Sequence, residues 1–135
     1  MKVAASILLT GTLASLAVHA NQSVVSQDEL IEALQTSDIG VTNVSIKDPQ
    51  ASESLPKGFD HHFVLTLEEV APKGGQFFIC QQETDCQALA VYFEALAFLA
   101  GPHRFISPSG HVYAQMNSNL SDETAEKVRV ILDDY

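Results

Sequence analysis

The sequence predicts an α+β domain: an antiparallel sheet of about five strands with helices packed on one face, in the order α-β-β-β-α-β-β-α. Three observations predict it. Two pairs of strand-like apolar runs are joined by glycine- or proline-bearing turns in hairpin spacing. Ser26 and Ser121 each precede an acidic first turn and an apolar stripe. The stretch from Cys86 to Ala100 holds neither proline nor glycine, enough for about four turns of helix.

Ser26 can cap a free amide, Glu29 three residues on can return the bond, and Val25 can staple onto Leu30. A helix is therefore expected from about Gln27 to Thr36, burying Leu30, Ile31 and Leu34. Val41 to Lys47 sets Thr42, Val44 and Ile46 against Asn43 and Ser45, the alternation of a half-buried strand. Asp48 to Gly58 reads as a surface loop. From His62 to Val70, Phe63, Leu65 and Leu67 fall on one face and His62, Val64, Thr66 and Glu68 on the other. After the turn Pro72-Lys73-Gly74-Gly75, the strand Gln76 to Gln81 points Phe77 and Ile79 one way and Phe78 and Cys80 the other, the pattern of a central strand.

Thr84 and Gln87 make a capping box for the next helix, and Gly101-Pro102 closes it. Leu89, Tyr92, Phe93, Leu96 and Leu99 form its stripe; Val91 and Phe98 lie off that stripe, so burial on more than one side is expected. Arg104 to Ser107 and His111 to Met116 form a second hairpin around Pro108-Ser109-Gly110. Ser121 then starts a last helix, with Asp122 and Glu123 favouring its dipole and Ala125, Val128, Ile131 and Leu132 forming its stripe.

The amino terminus has a different character. Lys2 precedes an uncharged run from Val3 to Val18, and Val18-His19-Ala20 offers small residues of the kind a signal peptidase reads. Residues 1–20 are expected to be a secretory signal peptide and 21–135 a single domain, periplasmic or secreted. The run falls short of the ~20 apolar residues of a spanning helix, so no membrane span is expected after cleavage. Six Lys plus Arg against 17 Asp plus Glu give the mature chain a charge of −11. Nucleic acid is therefore excluded as a partner class, since that affinity comes from cations displacing counterions from phosphates. The expected partner is a protein or small ligand of unknown identity, and the oligomeric state is open.

The element order is similar to that of the type III secretion chaperone-like fold, whose small acidic members bind protein segments. That resemblance implies a protein-binding role; it rests on element order across most of the mature chain and on no motif.

Cys80 ends a strand and Cys86 opens the long helix, and an exported chain with an even cysteine count is expected to join them in a disulfide. The competing reading, a reactive pair, lacks the two-residue spacing of thioredoxin-type motifs. His61, His62, His103 and His111 have no metal-motif spacing, so no metal site is expected. No glycine-flanked nucleophile elbow, phosphate cradle or cofactor motif is present, so neither catalytic residues nor cofactors are assigned. The candidate ligand-binding residues are those of the polar sheet face: His62, Thr66 and Glu68, with Phe78 between them and His111, Tyr113 and Gln115 from the second hairpin. The alternative, that one helix covers this face too or that it is merely solvated, is the commoner arrangement, since antiparallel sheets often leave one face to water. The resulting expectation is a non-enzymatic binding module; the alternative is a small hydrolase or metal-dependent enzyme using His62 and His111.

Overall fold

The computed structural model describes residues 25–51 and 54–135. The expected signal peptide lies outside the described residues, as do positions 52 and 53 of the first loop. Helix α1 (Gln27–Thr36) begins where Ser26 accepts the Glu29 amide and buries Leu30, Ile31 and Leu34. Strands β1 (Val41–Lys47), β2 (Phe59–Leu67) and β3 (Gly74–Cys80) follow, then α2 (Glu83–Ala95), α3 (Ala97–Ala100), β4 (Arg104–Ile106), β5 (Val112–Met116) and α4 (Asp122–Leu132), the last capped by Ser121. The five strands form one antiparallel sheet in the order β1-β2-β3-β5-β4. Fold class and element order thus agree with the sequence.

The helices, however, are divided between two faces rather than packed on one. On the first face α1 and α4 cover Phe63, Leu65 and Leu67 of β2, Phe77 and Ile79 of β3, and Val112, Ala114 and Met116 of β5. Phe63 and Phe77, register partners, stack at 5.1 Å. On the second face Cys86, Leu89 and Phe93 of α2 close over Phe78, Cys80 and Tyr113. The physical reason lies in β3: Phe77, Phe78, Ile79 and Cys80 are all fully or almost fully buried, so both sides of that central strand need an apolar cover. A register shift between Phe59 and His61 turns Phe59 onto the second face, where it meets Phe78 edge-on at 5.0 Å.

The expectation that the long helix is buried on more than one side is corrected as well. Its buried side is the narrow stripe Cys86, Leu89 and Phe93, while Val91, Phe98 and Leu99 are 70%, 81% and 72% exposed. The helix also breaks at Leu96, whose φ of −107° and ψ of 26° leave the helical region and set α3 off from α2. Gly101 ends α3 with φ +77°, and a Cβ there would sit 2.7 Å from Ser118 Cβ, so glycine is needed on two counts.

Cys80 and Cys86 form the expected disulfide, fully buried, with Cα atoms 5.7 Å apart. It ties the end of the central strand to the first turn of the helix over it. Closing so short a loop stabilises the native state by about 2 kcal/mol in the chain-entropy description. The double variant Cys80→Ala/Cys86→Ala should lose stability of that order in urea denaturation; a loss below about 0.5 kcal/mol, the scale of an ordinary surface substitution, contradicts a structural staple. The one-sided burial of α2 has its own check. Leu89→Ala should cost ~2 to 5 kcal/mol, whereas Leu99→Ala should change stability by less than about 0.5 kcal/mol; comparable losses at both sites contradict it.

Candidate functional site

Cover on the second face stops part-way along β3. Phe78 lies beneath α2, but Gln76, two residues earlier and on the same face, is only half-buried. Beyond the edge of α2 the sheet presents Val64 and Thr66 of β2, Gln76 of β3 and Gln115 of β5; Val64 pairs with Gln76, and Gln76 with Gln115. A cavity of about 380 Å³ opens at this boundary. Its floor is His62, Gln76 and Gln115, and its walls include Leu55 from the first loop with Tyr92, Leu96 and Leu99 from the α2–α3 segment. A second cavity of about 380 Å³, lined by Val64, Pro72, Lys73 and Asn117 among others, lies beside it and shares Gln76 and Gln115. The two glutamines are thus the common floor of one open trough.

The floor is a hydrogen-bond chain whose direction is dictated by its end. Gln115 Nε2 donates to Ala100 O at 2.7 Å and Met116 O at 2.9 Å, and two carbonyls accept only from a nitrogen. The Gln115 oxygen therefore accepts from Gln76 Nε2, at 2.8 Å. Gln76 Oε1 is left to face His62 Nε2 at 3.0 Å, which must carry the hydrogen. The break at Leu96 matters here, since the short α3 turn delivers the Ala100 carbonyl that anchors the chain.

His62 is 8% exposed and its ring stacks on Phe78 at 4.3 Å, with Phe59 edge-on at 5.8 Å. Burial pushes its pKa below the ordinary 6.5; the bond to Gln76 opposes that and the Lys47 charge reinforces it. Near neutral pH the ring is an uncharged donor, and the described lining of the apolar-walled part of the trough holds no lysine, arginine or carboxylate.

The remaining candidates lie elsewhere. Thr66 is half-buried on the same face, opposite Gly74 of β3 and Asn43 of β1, but outside the lining of both cavities. Glu68 sits past the end of β2 in a 3₁₀ turn, Glu68–Val70, exposed and beside Gly40. Phe78 and Tyr113 are interior, Tyr113 stacking on Phe93 at 5.6 Å. Burial pushes the Tyr113 hydroxyl up to about 12 despite the nearby Arg104 guanidinium. His111 lies at the disulfide end of the sheet, with Nδ1 2.8 Å from Cys80 O and Nε2 3.9 Å from Glu83. His62 and Gln115 are therefore the two candidates that meet in the trough. Gln76, Leu55, Tyr92, Leu96 and Leu99 join them unforeseen. Gln76 was legible in principle, because it shares a face with Phe78; the wall residues depend on where α2 stops, which periodicity does not encode.

Among the described residues no three His, Cys, Asp or Glu side chains converge to hold a metal, and no helix is long and apolar enough to cross a membrane. Comparison with protein-family models, curated proteins and solved structures finds no match to the chain. The resemblance in element order therefore carries no function across by itself.

The depressed His62 pKa has a signed consequence. A histidine whose folded pKa lies below its unfolded value contributes stability that is complete above about 6.5 and is lost as pH falls toward the folded value. Wild-type stability should thus fall relative to His62→Gln as pH drops below about 6.5, measured by denaturation at a series of pH values. A wild-type-minus-variant difference that is flat with pH contradicts the buried, neutral ring.

Proposed function

We propose that the chain is an exported, non-enzymatic binding module whose trough holds a ligand or a segment of another protein. The observation that carries this reading is the pairing of a polar, directionally fixed floor with apolar walls at a place where the sheet is left uncovered. Binding sites combine apolar walls with a few placed polar groups in this way, at volumes of roughly 300 to 1,000 Å³. Export is supported by the disulfide, which persists in oxidising compartments, and by the signal-like amino terminus.

The alternative, a hydrolase or metal-dependent enzyme using His62 and His111, draws no support from the geometry. His62 Nε2 is committed to Gln76, and His111 Nδ1 to the Cys80 carbonyl at the other end of β3. Among the described residues neither ring is hydrogen-bonded to a serine hydroxyl or a cysteine thiol.

Two-dimensional NMR of the mature protein against a mixed library of short peptides, oligosaccharides and small metabolites tests the reading. Ligands should shift the side-chain amides of Gln76 and Gln115 together with the methyls of Leu96 and Leu99. A library that moves none of these, or moves only the outer surfaces of α1 and α4, contradicts it.

A further inference from the structure

The fixed direction of the floor says what kind of group it can receive. Gln115 spends both amide hydrogens on Ala100 O and Met116 O, and its oxygen keeps one lone pair beyond the bond from Gln76. Gln76 Nε2 spends one hydrogen on Gln115 and, among the described residues, gives its second to no protein acceptor. A donor and an acceptor 2.8 Å apart therefore stand side by side on the trough floor. A primary carboxamide carries the complementary pair on one edge, as it does when Asn or Gln reads the adjacent donor and acceptor of adenine. A carboxylate has no hydrogen for the Gln115 oxygen; an ammonium or guanidinium has no acceptor for the Gln76 hydrogen.

Charge and shape narrow the occupant further. The chain is strongly acidic, and among the described lining residues Lys73, in the second cavity, is the one lysine, arginine or carboxylate. The floor is shared by two adjoining cavities, which leaves room for an occupant to run past the glutamine pair on both sides. Apolar surface from Leu55, Tyr92, Leu96 and Leu99 waits on one side of it. From these observations, and resting on the binding reading above, we infer that the trough binds an extended peptide segment, seating an Asn or Gln side chain on Gln76 and Gln115 and a neighbouring apolar side chain against Leu96 and Leu99.

The test is a matched series: the blocked tripeptide acetyl-Leu-Gln-Leu-N-methylamide, its Glu and Met counterparts, and 3-phenylpropanamide as a free small carboxamide. Each is titrated by NMR against the mature wild-type protein and against Gln76→Met, whose backbone spectrum reports that it still folds. The expected result is that the Gln peptide binds about tenfold more tightly than the Glu and Met peptides, the scale of one or two net hydrogen bonds. That preference should vanish in Gln76→Met. Equal binding of the three peptides in the trough overturns the carboxamide assignment and leaves the binding module standing. Binding of 3-phenylpropanamide without the Gln peptide overturns the peptide as its source. Absence of trough shifts with every probe at millimolar concentration overturns this assignment; it extends to the binding module only if the mixed library is also silent. The wild-type series decides these outcomes even if the variant does not fold.

Discussion

Burial of Phe78 on the second face of the sheet is the constraint on which the rest of this fold depends. Its strand is central, its opposite face is already filled by Phe77 and Ile79 against α1 and α4, and Phe78 itself is fully buried. A helix must therefore cross the second face, and the cystine fixes where it starts, because Cys80 ends the strand and Cys86 lies in the first turn of α2. From that anchor α2 covers Phe78 and Tyr113 with Leu89 and Phe93, then breaks at Leu96 while the sheet continues beyond it. The trough is the remainder of the face. It follows from a helix tethered at one end of the sheet and too short to reach the other.

Much of this was written in local sequence. The caps at Ser26 and Ser121, the extent of β1, the alternation of Phe63, Leu65 and Leu67, and the cystine are all set by neighbours within a few residues, and each is realised. The distribution of the helices is also written there: a strand reading Phe77-Phe78-Ile79-Cys80 is apolar on both sides and demands two covers. The α2–α3 segment differs. Its composition is apolar all round, so periodicity alone could not separate the buried Leu89 and Phe93 from the exposed Val91, Phe98 and Leu99. The break at Leu96 carries no proline or glycine to announce it. The site inherits that blindness. His62 and Gln115 could be placed on a polar face, but their meeting through Gln76 depends on the register of three strands, and the apolar wall on the end of a helix.

The chemistry of the trough contrasts with that of the whole chain. A protein with 17 acidic and seven basic residues holds, at this site, a floor of two amides and an imidazole that burial keeps uncharged. Desolvating that neutral floor costs less than desolvating ions, while the anchoring carbonyls of Ala100 and Met116 keep the Gln115 amide from rotating. Such preorganisation favours selection by hydrogen-bond pattern over selection by charge.

A single directed chain, running from His62 through Gln76 to Gln115 and the Ala100 carbonyl, organises this trough. The most direct measurement is the ¹⁵N NMR spectrum of the His62 ring at pH 7. The expected spectrum is that of a neutral imidazole protonated at Nε2, with Nδ1 bearing the lone pair. A ring protonated at Nδ1 alone, or an imidazolium at that pH, contradicts it.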